Sequence, residues 1–338
     1  MKKRIIIIGA GWAGQHHARA VYEHPDTELA AIIDRREEAA GALAQKLGGV
    51  PYYKTLEELE WQGIGYDAAV ICTLPDTHAT FCKALLQRGK HLFCEKPAGK
   101  NSGEIAWLLA LSRTRAAIAG VNYNQRYSAC YRKLKDKISD EKPHLISISM
   151  QQQGPVKQSD LAHPYFIVTD SCCHMIDTLR YINGEISSVY AVGKRIDSEI
   201  LSDVAVSLEF RNGSIGVMTH TFVGGVHESQ HPFQHFELST DKARHEVTNM
   251  LEGLHTYPHH SMERTTWSPS VFESCNYAET LKSSIYAWIE SLTGSSPAPV
   301  DLLDAYRNSL VVEACIKSLE TGQRVQLQDD IETGGGLI

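Results

Sequence analysis

The chain has 338 residues, of which 43% are apolar and 22% charged, and its formal net charge is −7. This composition is typical of a globular protein and argues against a disordered or fibrous class. Binding to phosphate backbones requires clustered Lys and Arg, so the negative charge predicts no nucleic-acid partner. The length favours two domains of about 100 to 200 residues each.

No apolar run approaches the roughly 20 residues needed to cross a bilayer, so we expect neither a membrane segment nor a signal peptide. The eight cysteines include no C-x-x-C pair. Several of them lie within predicted strands or helices, which indicates reduced packing residues in a cytoplasmic protein. For the adjacent Cys172 and Cys173 we expect packing rather than a redox pair, because a disulfide between neighbours is strained.

The first predicted element is a strand followed by a glycine-rich turn. Ile5 to Ile8 form an unbroken β-branched run, as in a parallel strand buried on both faces. Gly9 to Gly14 then show the spacing G-x-G-x-x-G, and a helix is predicted from Gln15 to Glu23. In a dinucleotide site the first glycine makes the turn, the second admits the pyrophosphate, and the third lets the helix pack on the strand.

A second buried strand, Leu29 to Ile33, ends at Asp34, about 20 residues beyond the glycines, where an acid binds ribose hydroxyls. These features together predict a dinucleotide site; the alternative is a glycine-rich helix entry that binds nothing. Asp34 would repel a 2′-phosphate, whereas Arg35 or Arg36 could attract one or stack on adenine. We therefore favour NAD, with NADP as the alternative.

The alternation of strands and helices continues to residue 121. Further buried strands are predicted at 67–72, 91–94 and 116–121, with helices among them at 37–47, 76–88 and 102–112. This rhythm is typical of a doubly wound parallel sheet.

Beyond residue 122 the strands alternate apolar and polar positions, as in 145–150 and 204–210. Asn212-Gly213 predicts a hairpin into a strand at 215–221. Two helices, at about 277–292 and 302–319, close the chain. The alternation indicates an antiparallel sheet in which one face is either exposed to solvent or covered by another surface. Because its apolar positions need cover, we expect a homodimer or homotetramer.

Further groups of residues follow the glycines and Asp34 in order along the chain. They are Thr73-Leu74-Pro75-Asp76-Thr77-His78, Cys94-Glu95-Lys96-Pro97, Asn124-Gln125-Arg126, Asp170-x-x-x-His174 and the hairpin Asp203 to Gly213. In this combination the chain resembles, over nearly its whole length, the glucose-fructose oxidoreductase, inositol dehydrogenase and rhizopine catabolism (Gfo/Idh/MocA) family of nicotinamide-dependent oxidoreductases.

The resemblance implies an α/β fold: an N-terminal Rossmann domain, residues 1–121, and a C-terminal α+β domain, residues 122–338, with a large open, mainly antiparallel sheet. It implies hydride transfer between NAD(P) and a hydroxyl or carbonyl of a sugar, polyol, inositol or sugar derivative.

The resemblance also implies site residues. Lys96 and His174 would be the catalytic pair, with Asp170 beside them, and Glu95 would contact the nicotinamide ribose. The cofactor-binding set comprises Gly9, Gly11, Trp12, Ala13, Gly14, Asp34, Arg35, Thr73, Leu74, Pro75, His78, Glu95 and Lys96. The substrate-binding set comprises Lys96, Asn124, Arg126, Tyr165, Asp170 and His174.

The chemistry of the residue types around His174 agrees with these roles. Thr169 or Asp170 can cap a helix that Asn183-Gly184 ends, and on it Asp170, His174 and Asp177 share one face. A hydroxyl proton must leave as the hydride does, and histidine has the unperturbed pKa closest to working pH.

Lys96 at the mouth of the sheet can hydrogen-bond the reacting oxygen and stabilise negative charge on it. Arg126 either lines the substrate pocket or forms a salt bridge to a neighbouring helix. The chain departs from the family at Tyr165 to Thr169 and at Cys172, where glycines are frequent. These bulkier residues change the shape of the pocket, so the substrate is less defined than the reaction class.

Half of the 16 histidines lie between residues 220 and 260, among them His227, His231, His235, His259 and His260. Pro232 and the strand-like 236–238 break the helical register that a metal site on the first three would need, and hydride transfer requires no metal. We predict no metal and assign these histidines to the substrate side or to an interface.

Three functions fit the sequence. The first is the dehydrogenase or reductase described above. The second is a glycoside hydrolase that oxidises its substrate transiently with a bound nicotinamide cofactor. The third is a nucleotide-sensing regulator without turnover, which the presence of both Lys96 and His174 disfavours.

Overall fold

The computed structural model describes residues 2–152, 164–196, 200–222, 233–269, 276–294 and 297–328. The chain divides into two compact units. The first unit is Met1–Asn124 with Thr280–Arg307, and the second is Gln125–Glu279 with Asn308–Ile338. Residues 280–307 thus belong with the first unit, although they follow most of the second along the chain.

The first unit is built on a parallel sheet. Its strands are β1 (Lys3–Ile8), β2 (Thr27–Ile33), β3 (Tyr52–Tyr53), β4 (Ala68–Ile71), β5 (His91–Glu95) and β6 (Ala119–Asn122). The intervening helices are α1 (Trp12–Glu23), α2 (Glu37–Lys46), α3 (Leu56–Trp61), α4 (Pro75–Gln87) and α5 (Ser102–Thr114). The strand order β3-β2-β1-β4-β5-β6, with every pair parallel, confirms the predicted Rossmann fold. The order reverses between β1 and β4, where such sheets bind ligands.

The second unit is built on a larger mixed sheet. Its strands are β7 (Pro143–Gln151), β8 (Ile186–Ile196), β9 (Ile200–Phe210), β10 (Ile215–Thr221), β11 (Phe233–Thr240), β12 (Ala243–Thr248), β13 (Gly253–Pro258), β14 (Thr265–Trp267) and β15 (Val325–Gln326). Helices α6 (Ala129–Lys137) and α7 (Cys173–Asn183) accompany it. The order is β14-β13-β12-β11-β7-β10-β9-β8-β15, and the β7–β10 pair is parallel while the other pairs are antiparallel. The predicted, mainly antiparallel sheet is confirmed.

Burial accounts for the β-branched run in β1. Ile5 to Ile8 are at most 1% exposed, and because successive side chains point to opposite faces, both faces of the sheet are covered. Helix α8 (Tyr277–Thr293) adds Ile285 and Trp288 to this core. The Trp288 ring lies 5.4 Å, centroid to centroid, from Phe93 of β5. This packing explains why residues 280–307 belong with the first unit; helix α9 (Leu302–Thr321) then leads back to the second.

The nine-stranded sheet has one buried and one open face. Along β11, Phe236 and Leu238 are fully buried, whereas the alternating His235 and Glu237 are partly exposed. Five large apolar side chains on the open face are between 41% and 54% exposed: Leu145, Tyr190, Val192, Ile215 and Val217.

The predicted hairpin between β9 and β10 is confirmed. Its turn residue Gly213 has φ +87°, a left-handed conformation that glycine adopts without strain. The Asn212 carboxamide oxygen accepts a hydrogen bond from the Ser214 N–H at 3.0 Å and so closes the turn.

Two further predictions concern membrane segments and cysteines. No helix in the described part of the chain is both long and apolar enough to cross a membrane. The seven cysteines among the described residues are buried thiols, and they include Cys172 and Cys173.

Candidate active site

Two of the three motif glycines are required by the fold of the first unit itself. Gly9 has φ +106°, and a Cβ on it would lie 2.4 Å from the carbonyl oxygen of Cys72. A Cβ on Gly14 would lie 1.9 Å from the carbonyl oxygen of Gly9. Neither position accepts a side chain unless the backbone moves, so these two glycines close the turn and seat α1 on the sheet.

Gly11 differs, because among the described residues, apart from Gly11 itself and its two chain neighbours, no atom lies within 4 Å of a Cβ built on it. Its backbone is extended, with φ −71° and ψ −166°, and any residue can adopt it. No side chain caps α1, and no acid stands in its first turn, which contains Trp12 and Ala13. The first N–H groups of a helix have no partner within the helix and attract anions. The open space and these donors fit the pyrophosphate of a dinucleotide.

Asp34 closes the same region from the end of β2. Its carboxylate accepts hydrogen bonds from the N–H of Ala10 at 2.8 Å and from the N–H of Arg36 at 2.9 Å, and the Arg36 guanidinium lies 3.4 Å away. Burial acts to raise the pKa of Asp34, but these hydrogen bonds outweigh it and leave the pKa below its ordinary value. The ionised group retains lone pairs for ribose hydroxyls. Arg35 is exposed beside it.

The loop from β4 to α4 lies at the same carboxyl edge. Leu74 is 61% exposed at the start of α4, and Pro75 is its first residue. His78, which the sequence predicts to be a cofactor-binding residue, is 1% exposed. Its Nδ1 lies 2.8 Å from the carbonyl oxygen of Pro97, and its Nε2 lies 3.1 Å from that of Thr73. His78 therefore ties together the loops that follow β4 and β5.

Glu95 ends β5, directly before Lys96, and two residues absent from the sequence prediction hold it. His17 of α1 and Asn122 of β6 each place a nitrogen 2.8 Å from its Oε1. Burial acts to raise the pKa of Glu95, but these hydrogen bonds and the charges of His17 and Lys96 leave it below its ordinary value. Glu95 is therefore a carboxylate at the edge of the sheet where the glycine turn lies.

In the second unit, α7 begins differently from the prediction. A π-helical turn, Ile167–Cys172, runs directly into it, so neither Thr169 nor Asp170 is its N-cap. The Thr169 hydroxyl instead donates back to the carbonyl oxygen of Phe166 at 3.2 Å. The predicted cap was wrong because the chain is already helical before Thr169. The helix does end at Asn183, before Gly184, as expected.

The wider turn of the π-helix places Asp170 and His174 on a continuous helical segment. His174 is buried, and Asp170 is half-buried. The carbonyl oxygen of Asp170 accepts a hydrogen bond from the Cys173 thiol at 3.1 Å. The Ser171 hydroxyl donates to the Gln152 side chain at 3.0 Å, which fixes the turn to the end of β7. π-turns within helices frequently occur at functional sites.

The third residue of the predicted helix face, Asp177, has a structural partner. Asp177 is fully buried and receives two hydrogen bonds from Arg126, at 2.7 Å from Nε and 2.6 Å from Nη2. Of the two alternatives for Arg126, the structure thus shows the salt bridge to a helix. Tyr165 has the Arg195 guanidinium 4.9 Å above its ring. In the first unit, the Asn124 amide donates to the Thr280 hydroxyl at 2.7 Å.

The histidine-rich stretch contains one group in the described residues with the spacing of a metal site. The ligand atoms of His235, Glu237 and Glu246 lie within 4.8 Å of one another. The Arg244 guanidinium lies 3.6 Å from Glu237 and 3.7 Å from Glu246, so it forms an ion pair with each carboxylate. His259 contacts the carbonyl oxygen of Thr240 at 2.9 Å. His227 and His231 lie outside the described residues.

Comparison with known proteins places this geometry in context. Residues 3–123 match an oxidoreductase family with an NAD-binding Rossmann fold, and residues 164–327 match the C-terminal alpha/beta domain of that family. The chain is 27% identical to the myo-inositol 2-dehydrogenase of Thermotoga maritima, over 97% of this chain and 99% of that protein.

Solved structures share the fold. An oxidoreductase from Agrobacterium radiobacter, in complex with NAD+, L-tartaric acid and magnesium, has a TM-score of 0.87 at 18% identity and covers 97% of this chain and 99% of its own. A levoglucosan dehydrogenase in complex with NADH has a TM-score of 0.85 at 17% identity, with coverages of 97% and 100%. Because the family matches span most of its length, the chain belongs to the Gfo/Idh/MocA family of oxidoreductases, with an NAD-binding Rossmann domain as its first unit.

Proposed function

We propose that the protein is an NAD-dependent dehydrogenase that oxidises a secondary hydroxyl of an inositol, a sugar or a related polyol. The main support for this proposal is the open space at Gly11 before an uncapped helix, with the ionised Asp34 beside it. The substrate class rests on the relatives, since the myo-inositol 2-dehydrogenase of Thermotoga maritima aligns over nearly the whole chain.

Lys96, His174 and Asp170 carry the chemistry in this proposal. NAD, when bound, accepts the hydride that leaves the carbon. The Lys96 ammonium hydrogen-bonds the hydroxyl oxygen and stabilises its negative charge as the O–H bond breaks. His174 takes the proton, and the carbon–oxygen double bond forms as the hydride departs. Asp170, on the π-turn before His174, orients the imidazole. The fixed position of this turn against β7 supports the assignment.

The remaining site residues bind the cofactor or the substrate, or hold the neighbouring loops in place. In the proposal, Glu95 accepts a hydrogen bond from the nicotinamide ribose, and His78 maintains the loops at the carboxyl ends of β4 and β5. Asn124, Arg126 and Tyr165 border the substrate. The bidentate ion pair to Asp177 supports a fixed orientation for Arg126.

The open face of the second sheet supports a homodimer or homotetramer in the proposal. Leu145, Ile215 and Val217 lie together on adjacent strands and need cover. An isologous contact between two such faces covers them on both copies. The buried thiols among the described cysteines support a reducing compartment, the cytoplasm.

A substrate panel tests the function. Inositols, sugars, sugar phosphates and amino sugars are incubated with NAD or NADP, and the absorbance of the reduced cofactor is followed. We expect net reduction of NAD with a member of the inositol or sugar class. Glycoside cleavage without net reduction would establish the hydrolase alternative. Cofactor binding without reaction on any compound would favour a nucleotide sensor.

A further inference from the structure

His17, Glu95 and Asn122 form a polar cluster inside the first unit. His17 is 0% exposed and Asn122 is 1% exposed, while the Glu95 side chain retains 14% exposure. His17 lies on α1, directly after the glycine turn, and the other two residues end the neighbouring strands β5 and β6. The Phe93 ring packs edge-on against the imidazole of His17 at 5.5 Å. The cluster is thus enclosed except at the carboxylate.

The hydrogen bonds define the orientation of each group. A carboxylate only accepts, so His17 carries a proton on Nε2 and donates it to Glu95 Oε1. The Asn122 amide donates to the same oxygen. Both bonds converge on Oε1, and no group among the described residues donates to Oε2. Glu95 therefore presents Oε2 at the carboxyl edge of the sheet.

Two atoms of the cluster are unsatisfied. In the described part of the protein, neither His17 Nδ1 nor Asn122 Oδ1 has a hydrogen-bond partner, and both are buried. A buried polar atom without a partner costs about 1 to 3 kcal/mol. An apolar pair would avoid this cost. The arrangement is therefore poor as a stability device, and what it achieves is the orientation and charge of Glu95.

The surrounding groups show which charges act on Glu95. His17 approaches from α1, Asn122 from β6 and Lys96 from the next position in the chain. The Cys72 thiol, directly after β4, and the Cys94 thiol of β5 are buried, and burial raises the pKa of each well above its ordinary value, so both stay neutral. His17 is accordingly the largest influence that opposes the burial of Glu95.

We propose that His17 and Asn122 are positioning residues that hold the Glu95 carboxylate by its Oε1 and aim its Oε2 at the nicotinamide ribose of NAD. The proposal rests on the proposed function only in assigning Glu95 to that ribose. It adds two residues to the cofactor site that do not touch the cofactor. Their effect on NAD binding passes through the charge of one carboxylate, so it depends on pH.

The test compares NAD affinity by calorimetry, without substrate, from about pH 5 to about pH 8. In His17→Leu the effect of burial on Glu95 is no longer offset, so the pKa of Glu95 rises. As the pH is lowered, this variant should therefore lose NAD affinity earlier, at a higher pH, than the native protein does. We expect a loss of about tenfold or more at the acid end, with recovery toward the alkaline end. His17→Gln retains a donor but not the charge, so it should move the profile back toward that of the native protein. His24→Leu, a buried histidine after the far end of α1, is the matched control and should match the native protein.

Two companion variants separate the possible failures. Glu95→Gln should bind NAD weakly at every pH, and Asn122→Leu should shift the profile in the direction of His17→Leu but less far. If Glu95→Gln weakens binding while folded His17→Leu and Asn122→Leu keep the native profile, the positioning inference is overturned and the role of Glu95 survives. If Glu95→Gln binds NAD normally, the ribose assignment fails and the inference falls with it. Should His17→Leu not fold, Asn122→Leu decides by the same criterion.

Discussion

Gly11→Val separates a glycine required by the cofactor from glycines required by the fold. Apart from Gly11 and its chain neighbours, no described atom lies within 4 Å of the Cβ position, and the extended backbone suits valine. We therefore expect the free energy of unfolding to change by no more than about 1 kcal/mol. The branched side chain would fill the space before the first turn of α1. A hydrogen bond to a charged group is worth about 1.5 to 3 kcal/mol, so the loss of two bonds to the pyrophosphate costs about 3 to 6 kcal/mol.

This loss corresponds to a fall in NAD affinity of about 100-fold or more. Calorimetric titration with NAD measures it, and thermal unfolding monitors the fold. Gly65→Val is the matched control, because Gly65 is exposed before β4, at the opposite edge of the parallel sheet. Gly14→Ala gives the contrasting result, a protein destabilised by about 1 to 3 kcal/mol or more, because its Cβ meets the Gly9 backbone. A folded Gly11→Val protein that binds NAD as the native protein does would refute the assignment of the pyrophosphate site to Gly11 and the start of α1.

Three further predictions concern catalysis, cofactor choice and assembly. Lys96→Ala and His174→Ala should each lower turnover by about 100-fold or more. His174→Ala should leave NAD affinity nearly unchanged. Near-native turnover in a folded His174→Ala protein would point to Asp170 or Tyr165 as the proton carrier. The native protein should bind NAD at least about tenfold more tightly than NADP. Asp34→Ala should reduce this preference because it removes the charge that repels a 2′-phosphate. Tighter binding of NADP by the native protein would contradict the prediction. Light scattering at micromolar concentration should show a dimer or tetramer, and Val217→Glu on the open sheet face should weaken it; a native monomer would refute the assembly.

The first unit was largely predictable because its signals are local. Ile5 to Ile8, the glycine spacing and Asp34 lie within one short segment, and each requires a particular backbone at its own position. The hairpin at Asn212-Gly213 was predictable for the same reason, since the turn type depends on the two residues themselves.

Features that depend on distant packing were not predicted. The return of residues 280–307 to the first unit depends on Trp288 meeting Phe93, which is far away in sequence. The parallel pairing of β7 with β10 joins strands separated by other elements, and no local pattern encodes it. The sequence does contain a signal for His17, because it falls one helical turn after Gly14 and so shares the buried face of α1. The contact of His17 with Oε1 of Glu95 can be seen only once α1 is packed against the sheet.

The proposed function depends on net transfer of a hydride from a carbinol carbon to NAD in each turnover. The most direct measurement uses a polyol substrate from the panel with deuterium on the carbon that is oxidised, followed by mass spectrometry of the free cofactor. We expect deuterium in the released reduced cofactor, in equal amount to the ketone formed. Release of product with no deuterium in free reduced cofactor would contradict net hydride transfer to NAD.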